Sequence, residues 1–159
     1  MSVTVRHWTQ TDISSVLPLM RDLAVFEGNL DLFKATHARL LERGFQTSPP
    51  DCHCLIAERG AQIIGILLYQ LLPLSDEPEI IVTDLFVSQS ARRQGAGRAL
   101  MQRVALEARS AGCELVRWAL ADGNEAAQRF YESLGARANP NWVSYGLDRA
   151  GLETLAGQP

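Results

Sequence analysis

The run Ile80-Ile81-Val82-Thr83-Asp84-Leu85-Phe86-Val87, followed by Ser88-Gln89-Ser90-Ala91-Arg92-Arg93-Gln94 and then Gly95-Ala96-Gly97-Arg98, decides how this chain is read. Its first part is apolar and β-branched on both faces apart from Thr83 and Asp84, the pattern of a strand buried inside a sheet. A carboxylate in such a strand demands a reason, because burying it unpartnered is costly. Residues 98–111 carry Leu100, Val104 and Ala108 on one face with Met101 and Ala105 beside it, and leave Gln102, Arg103, Glu107 and Arg109 for water. That spacing predicts an amphipathic helix, ended by Gly112. Between strand and helix, Gly95 and Gly97 allow close backbone approach just where free helix N–H groups point forward. Strand, turn and helix together predict an anion cradle.

Two phosphate motifs do not fit it. A P-loop follows its last glycine with Lys and Ser/Thr, whereas Gly97 is followed by Arg98 and Ala99. A dinucleotide fingerprint puts its first glycine at the strand's end, whereas residues 88–94 intervene here. Glu114 has the spacing of the ribose-binding acid but would begin the next strand rather than end it.

The pattern that fits is Arg/Gln-x-x-Gly-x-Gly/Ala, met by Arg92, Gly95 and Gly97. Downstream, residues 115–121 read as a strand and 124–134 as a helix with Ala127, Phe130, Tyr131 and Leu134 on one face and Gly135 as its stop. The run Asn124-Glu125-Ala126-Ala127-Gln128-Arg129-Phe130-Tyr131-Glu132-Ser133-Leu134-Gly135-Ala136 meets the pattern N-x-x-A-x-x-F-Y-x-x-x-G-A/F. These two motifs resemble those of the GNAT-type N-acetyltransferases, which bind acetyl-coenzyme A. The likeness extends over nearly the whole chain and is nearest to the branch of spermidine/spermine and thialysine acetyltransferases. Leu23-Ala24-Val25-Phe26-Glu27, Gly44-Phe45, His53-Cys54-Leu55-Ile56-Ala57-Glu58, Asp84-Leu85-Phe86-Val87 and Phe130-Tyr131 fall on that branch's pattern.

The resemblance implies an α/β (α+β) GNAT fold: a mixed, mostly antiparallel central sheet of six to seven strands flanked by about four helices, as one N-acetyltransferase domain over 1–159. It implies direct acetyl transfer from acetyl-coenzyme A to a primary amine of a small cationic acceptor, with no metal. Arg92, Arg93, Gln94, Gly95, Ala96, Gly97 and Arg98 would hold the pyrophosphate, and Leu85, Phe86 and Val87 would lie along the pantetheine arm. Asn124, Ala127, Phe130 and Tyr131 complete the implied coenzyme set. Tyr131 would protonate the departing thiolate; by residue pattern alone it equally packs on its helix's apolar stripe. Glu27, Thr83, Asp84 and Trp142 would bind the acceptor, Asp84 also serving catalysis; by residue pattern alone Asp84 also reads as a salt-bridged or capped carboxylate in the sheet, Glu27 as an exposed helix-end carboxylate and Trp142 as a core or interface residue. That branch has Glu-Asp where this chain has Thr83-Asp84. Its general-base glutamate is therefore missing, and Thr83 can orient a water but not take up a proton. A homodimer joined by carboxyl-terminal strands is implied too, with Trp142, Val143 and Tyr145 offering large side chains. A protein acetyltransferase and a non-catalytic coenzyme A sensor remain alternatives.

The rest of the chain agrees. With 159 residues, 47% apolar and 21% charged, it reads as an ordinary globular domain. Its net charge of −3 argues against nucleic acid as partner. The longest apolar block, 63–74, is broken by Gly65, Gln70 and Pro73 and is too short for a membrane span. The amino terminus lacks a basic start and apolar run, so a cytoplasmic location is expected. Cys52, Cys54 and Cys113 are too few for a disulfide framework, and alternation along a strand puts His53 on the face opposite Cys52 and Cys54, against a metal site. In order, the pattern predicts a strand over 3–8, helices from 13 to about 26 and from 31 to about 43 with Gly44 as stop, and strands over 52–58 and 62–70 joined by Arg59-Gly60-Ala61. Residues 72–78 form a loop whose Asp76 and Glu77, with Glu79, read first as a solvated stretch and second as the lining of a cation path, and the last strand covers 142–147. Beyond it lies a polar end with Leu152 and Leu155 as possible anchors.

Overall fold

The computed structural model describes residues 2–73, 78–141 and 143–157. Among these, β1 (Thr4–His7), α1 (Ile13–Phe26), α2 (His37–Leu41), β2 (His53–Arg59), β3 (Gln62–Leu72), β4 (Glu79–Val87), α3 (Ala96–Ser110), β5 (Leu115–Arg117), α4 (Glu125–Glu132) and α5 (Arg149–Ala156) follow one another. They fall into two compact units, Met1–Ala119 with the whole sheet and α1 to α3, and Leu120–Pro159 with α4 and α5.

The sheet has the order β1-β2-β3-β4-β5. Neighbours run antiparallel except β4 and β5, which are parallel and pair only over Glu79↔Leu115, Ile80↔Val116 and Ile81↔Arg117. Period-two alternation sends Cys54, Ile56, Ile66, Leu68 and Phe86 to one face, where they meet Ile13, Val16, Leu19 and Leu23 of α1. The other face presents Leu55, Leu67 and Ile80 towards α3, which returns Leu100, Val104 and Ala108. Fully buried Leu100 and Val104 contribute about 2 kcal/mol each by apolar burial alone.

The start of α1 is tied to the sheet by Arg6. Its guanidinium grips Asp12 through two hydrogen bonds of 2.8 and 3.0 Å and Glu58 through two of 3.1 and 2.7 Å. Those bonds from Arg6, outweighing the cost of burial, hold the Asp12 carboxyl down at about 2. The same helix carries Phe26 as its last residue and Glu27 as its carboxyl-terminal cap.

Several expectations are corrected. Among the described residues the sheet has five strands where six to seven were expected. Residues 115–121 give only β5, Leu115–Arg117. Residues 143–147 form no strand: a strand requires a neighbour for its hydrogen bonds, and none of the described strands pairs with them. Trp142 lies outside the described residues. The polar end instead forms α5, capped by Asp148, whose Oδ1 accepts from Gly151 N at 2.8 Å; Leu152 and Leu155 stay exposed rather than acting as anchors. The helix expected over 31–43 is shorter, because Thr36 caps α2, its hydroxyl accepting from Arg39 N at 3.2 Å. α2 then widens into a π-turn over Glu42–Gln46. Gly44 sits inside that turn rather than stopping a helix, and the Trp8 indole occupies the space a Cβ would need. No described helix is long and apolar enough to cross a membrane.

Candidate active site

The site in the first unit is organised by β4. Its pairing with β3 shifts between Leu68↔Asp84 and Tyr69↔Val82, so Thr83 is an extra, bulged residue. Before the bulge, Ile80 and Val82 point to the α3 face with Tyr69; after it, Leu85 does so with Leu67, and Asp84 and Phe86 turn to the α1 face with Leu68 and Ile66. Thr83 is exposed, and its hydroxyl lies 3.4 Å from Leu68 O.

Asp84 is half-buried and forms no ion pair with any described basic group. Burial pushes its carboxyl above the ordinary value, the Thr83 hydroxyl opposes this, and the charge of Glu27 adds to it. Two expected acceptor residues, Glu27 and Asp84, are thus close enough to repel. Glu27 also caps the carboxyl end of α1, where the helix dipole disfavours an anion, and it accepts one hydrogen bond, from Asn29 Nδ2 at 3.1 Å. Two carboxylates held against both dipole and mutual repulsion are an arrangement that a cation would relieve.

At its other end β4 leads into the cradle. Pairing with β5 stops at Ile81, so the backbone groups of 82–87 on that side lie outside the ladder, beside half-buried Leu85 and Val87 and buried Phe86. The loop then curls through Arg93 at φ 61° and Gly95 at φ 88°, the former uncommon for a residue with a Cβ. Gly95 precedes α3, whose first backbone bond runs from Ala99 N to Gly95 O at 2.9 Å, leaving the N–H groups of Ala96 and Gly97 aimed forward. Gln94 braces the curl by donating to Ser90 O at 3.0 Å. Arg92 donates from Nε to Val87 O at 3.2 Å, and its guanidinium lies 4.9 Å from the Phe26 ring and 5.7 Å from that of Phe86. Forward-pointing amides, a positive-φ curl and arginines fit a diphosphate. The Ser88 hydroxyl, at the mouth of this loop, is buried without a hydrogen-bond partner among the described residues.

In the second unit, Asn124 caps α4, its Oδ1 accepting from Ala127 N at 3.1 Å. Phe130 and Tyr131 follow on the helix with ring centroids 5.2 Å apart, both half-buried, and burial pushes the Tyr131 phenol up. The phenol is therefore protonated at neutral pH.

Some candidates part company with the site. Glu79 is bound by Arg117 through two bonds of 2.9 Å, which correct its reading as part of a cation path; Asp76 and Glu77 lie outside the described residues. Cys54 is buried in the α1-side core while His53 stacks on Tyr69 at 5.0 Å on the other face, so Cys52-His53-Cys54 does not converge on one ion. Phe26 was missed as a site residue; its signal in the sequence is an aromatic side chain immediately before the helix-ending Glu27.

The Acetyltransferase (GNAT) family matches residues 19–136. Thialysine N-epsilon-acetyltransferase of Sus scrofa is 30% identical, over 99% of each chain. The human spermidine/spermine N(1)-acetyltransferase-like protein 1 is 27% identical over 96% of this chain and 23% of its own length. Among solved structures, an integron cassette protein from V. cholerae superposes with a TM-score of 0.82 at 23% identity, over 99% of each chain. An aminoglycoside acetyltransferase from an uncultured soil metagenomic sample, in complex with sisomicin, does so with 0.75 at 19% identity, over 92% of this chain and 97% of its own. With one family spanning both motifs and a full-length relative of the same kind, the chain is an N-acetyltransferase and belongs to the GNAT family.

Proposed function

We propose that this enzyme, as a single catalytic domain, takes its acetyl group from acetyl-coenzyme A and delivers it directly to a primary amine of a small cationic acceptor. One observation carries the reading: β4 leaves its ladder with β5 after Ile81 and runs into the curled, arginine-bearing turn before α3. The turn, from Arg92 to Arg98, grips the diphosphate, and the open backbone of 82–87 pairs with the pantetheine arm and supplies amide donors to the thioester oxygen. Acetyl-coenzyme A supplies the activated acetyl group.

Glu27 and Asp84 draw in the acceptor as an ammonium ion. Attack requires the neutral amine, so its proton passes to Asp84, whose raised basicity suits the task, directly or through a water held by exposed Thr83. The nitrogen–carbon bond forms, the carbon–sulfur bond breaks, and the electron pair leaves on sulfur, which takes a proton from Tyr131; the acylated nitrogen sheds its remaining extra proton through water, which restores the Tyr131 phenol. The role of Tyr131 rests on its place in the second motif, with Asn124, Ala127 and Phe130. The relatives named for thialysine and for spermidine/spermine support an acceptor bearing a second cationic centre.

The test follows free thiol release across thialysine, polyamines, aminoglycosides and peptides. Turnover of a small diamine or lysine analogue is expected. Coenzyme binding without thiol release from any amine would make the protein a sensor instead, and turnover of peptides alone would make it a protein acetyltransferase. Val143, Tyr145 and Leu147 are 73, 92 and 54% exposed, which supports pairing of this segment with a second copy. Light scattering should return twice 17.5 kDa; the monomer mass would refute the dimer.

A further inference from the structure

We infer that Phe26 is a positioning residue for the acceptor, joined through Arg92 to the coenzyme cradle, so that occupancy of the cradle is felt at the acceptor carboxylates. The inference rests on the acetyltransferase reading above. Arg92 belongs to the cradle, yet its guanidinium stands over two aromatic rings, 4.9 Å from Phe26 and 5.7 Å from Phe86, within the range of a cation–π contact. Its Nε is committed to Val87 O, which fixes the plane of the group. A guanidinium stacks through its flat face and donates through its edge, so it can hold a ring and an anion together. Phe86 is buried in the sheet and does not need Arg92 to stay in place. Phe26 is different: it is the last residue of α1, it is 58% exposed, and the next residue is Glu27. Its backbone place is set by α1, but its exposed ring lies against the Arg92 guanidinium.

A diphosphate engaging the edge of Arg92 would hold the arginine still, and with it Phe26 and the helix end that carries Glu27, the carboxylate felt by Asp84. By linkage, an acceptor held by Glu27 and Asp84 then strengthens coenzyme binding by the same factor. An exposed cation–π contact sets that factor at about two- to fivefold.

The protein carrying 13C-labelled phenylalanine is titrated with coenzyme A while its ring resonances are followed, with calorimetry on the same samples. The Phe26 signals should shift with the affinity that calorimetry returns. In Arg92→Gln, coenzyme binding should weaken and the Phe26 signals should no longer respond. Phe26→Leu should leave coenzyme affinity within about twofold and raise KM for thialysine about two- to fivefold with kcat unchanged. If coenzyme A binds the wild type while the Phe26 signals stay still, or if they respond equally in Arg92→Gln, the coupling is overturned and the acetyltransferase reading stands. If coenzyme A does not bind the wild type at all, it is that reading which falls, and this inference with it.

Discussion

Gly95 gives the sharpest test of the cradle, because its backbone and its surroundings make opposite demands. At φ 88° and ψ −7° it lies where L-residues are strained, by about 1–2 kcal/mol. A Cβ there would meet nothing within 4 Å, so Gly95→Ala adds strain without a clash. The fold has two responses. If the backbone keeps its curl, stability falls by the full strain, about 2–8 °C in Tm for a chain of this length. If the backbone relaxes to negative φ, stability is spared but the N–H groups of Ala96 and Gly97 turn away from the anion. Each charge-assisted hydrogen bond lost in that way costs about 1.5–3 kcal/mol, so coenzyme affinity should fall at least about tenfold. Gly95→Val, with a branched Cβ that resists the curl more strongly, should take the second route. Thermal denaturation and calorimetric titration with coenzyme A, run on both variants, separate the two. A cooperative Gly95→Val protein that keeps both the Tm and the coenzyme affinity of the wild type would refute the argument.

Asp84→Asn should remove the acid limb of the kcat/KM pH profile, which for the wild type lies above the ordinary carboxylate range because burial and Glu27 raise Asp84. The same shift means that ionised Asp84 costs the fold stability above its raised pKa and nothing below the unfolded value, so the variant should outlast the wild type in urea at neutral pH and match it in acid. Tyr131→Phe should lower kcat about 10²-fold with coenzyme affinity intact, measured where chemistry limits the rate; wild-type turnover would return the residue to the core. Asp12, held at about 2, has the opposite sign to Asp84: its stabilisation is present above pH 3.8 and is lost as pH falls towards 2. Asp12→Asn should cost about 1–2 kcal/mol at pH 7, discounted because the Arg6 side chain is 42% exposed, and little at pH 2; equal loss at both would show that packing rather than charge was removed.

What was legible in the sequence was local. The stripe Leu100, Val104 and Ala108 needs only a helix and an apolar neighbour, and Gly95 marks the positive φ before that helix. Gly60 and Ala61 turn β2 into β3 as a short hairpin must. What failed depended on distant partners. Val143, Tyr145 and Leu147 alternate like a strand, but a strand is completed by a neighbour and none of the described strands supplies one. Gly44 reads as a helix stop until Trp8 is seen to fill its missing Cβ. Phe26 reads as an ordinary apolar position until Arg92 stands over it.

The bulge at Thr83 explains why Asp84 was recognised as anomalous in the sequence but could not be placed by it. Along β4 the even positions Ile80, Val82, Asp84 and Phe86 read as one face of an unbroken strand, which would set the carboxylate among the residues beneath α3. One extra residue reverses the alternation. Asp84 and Phe86 thereby join Leu68 and Ile66 on the face covered by α1, which is the face that carries Glu27. The same residue that effects the reversal is the one that differs from the polyamine branch, and its exposure shows what the position asks of a side chain. A bulged residue is released from both faces of the sheet, so a side chain at position 83 reaches outward, where water or substrate can meet it, and does not pack. A threonine there keeps the bulge and an outward hydroxyl while giving up a proton acceptor. The proton acceptor proposed for this chain is therefore the next residue along, a carboxylate that the bulge has turned towards the face of Glu27 and burial has made more basic.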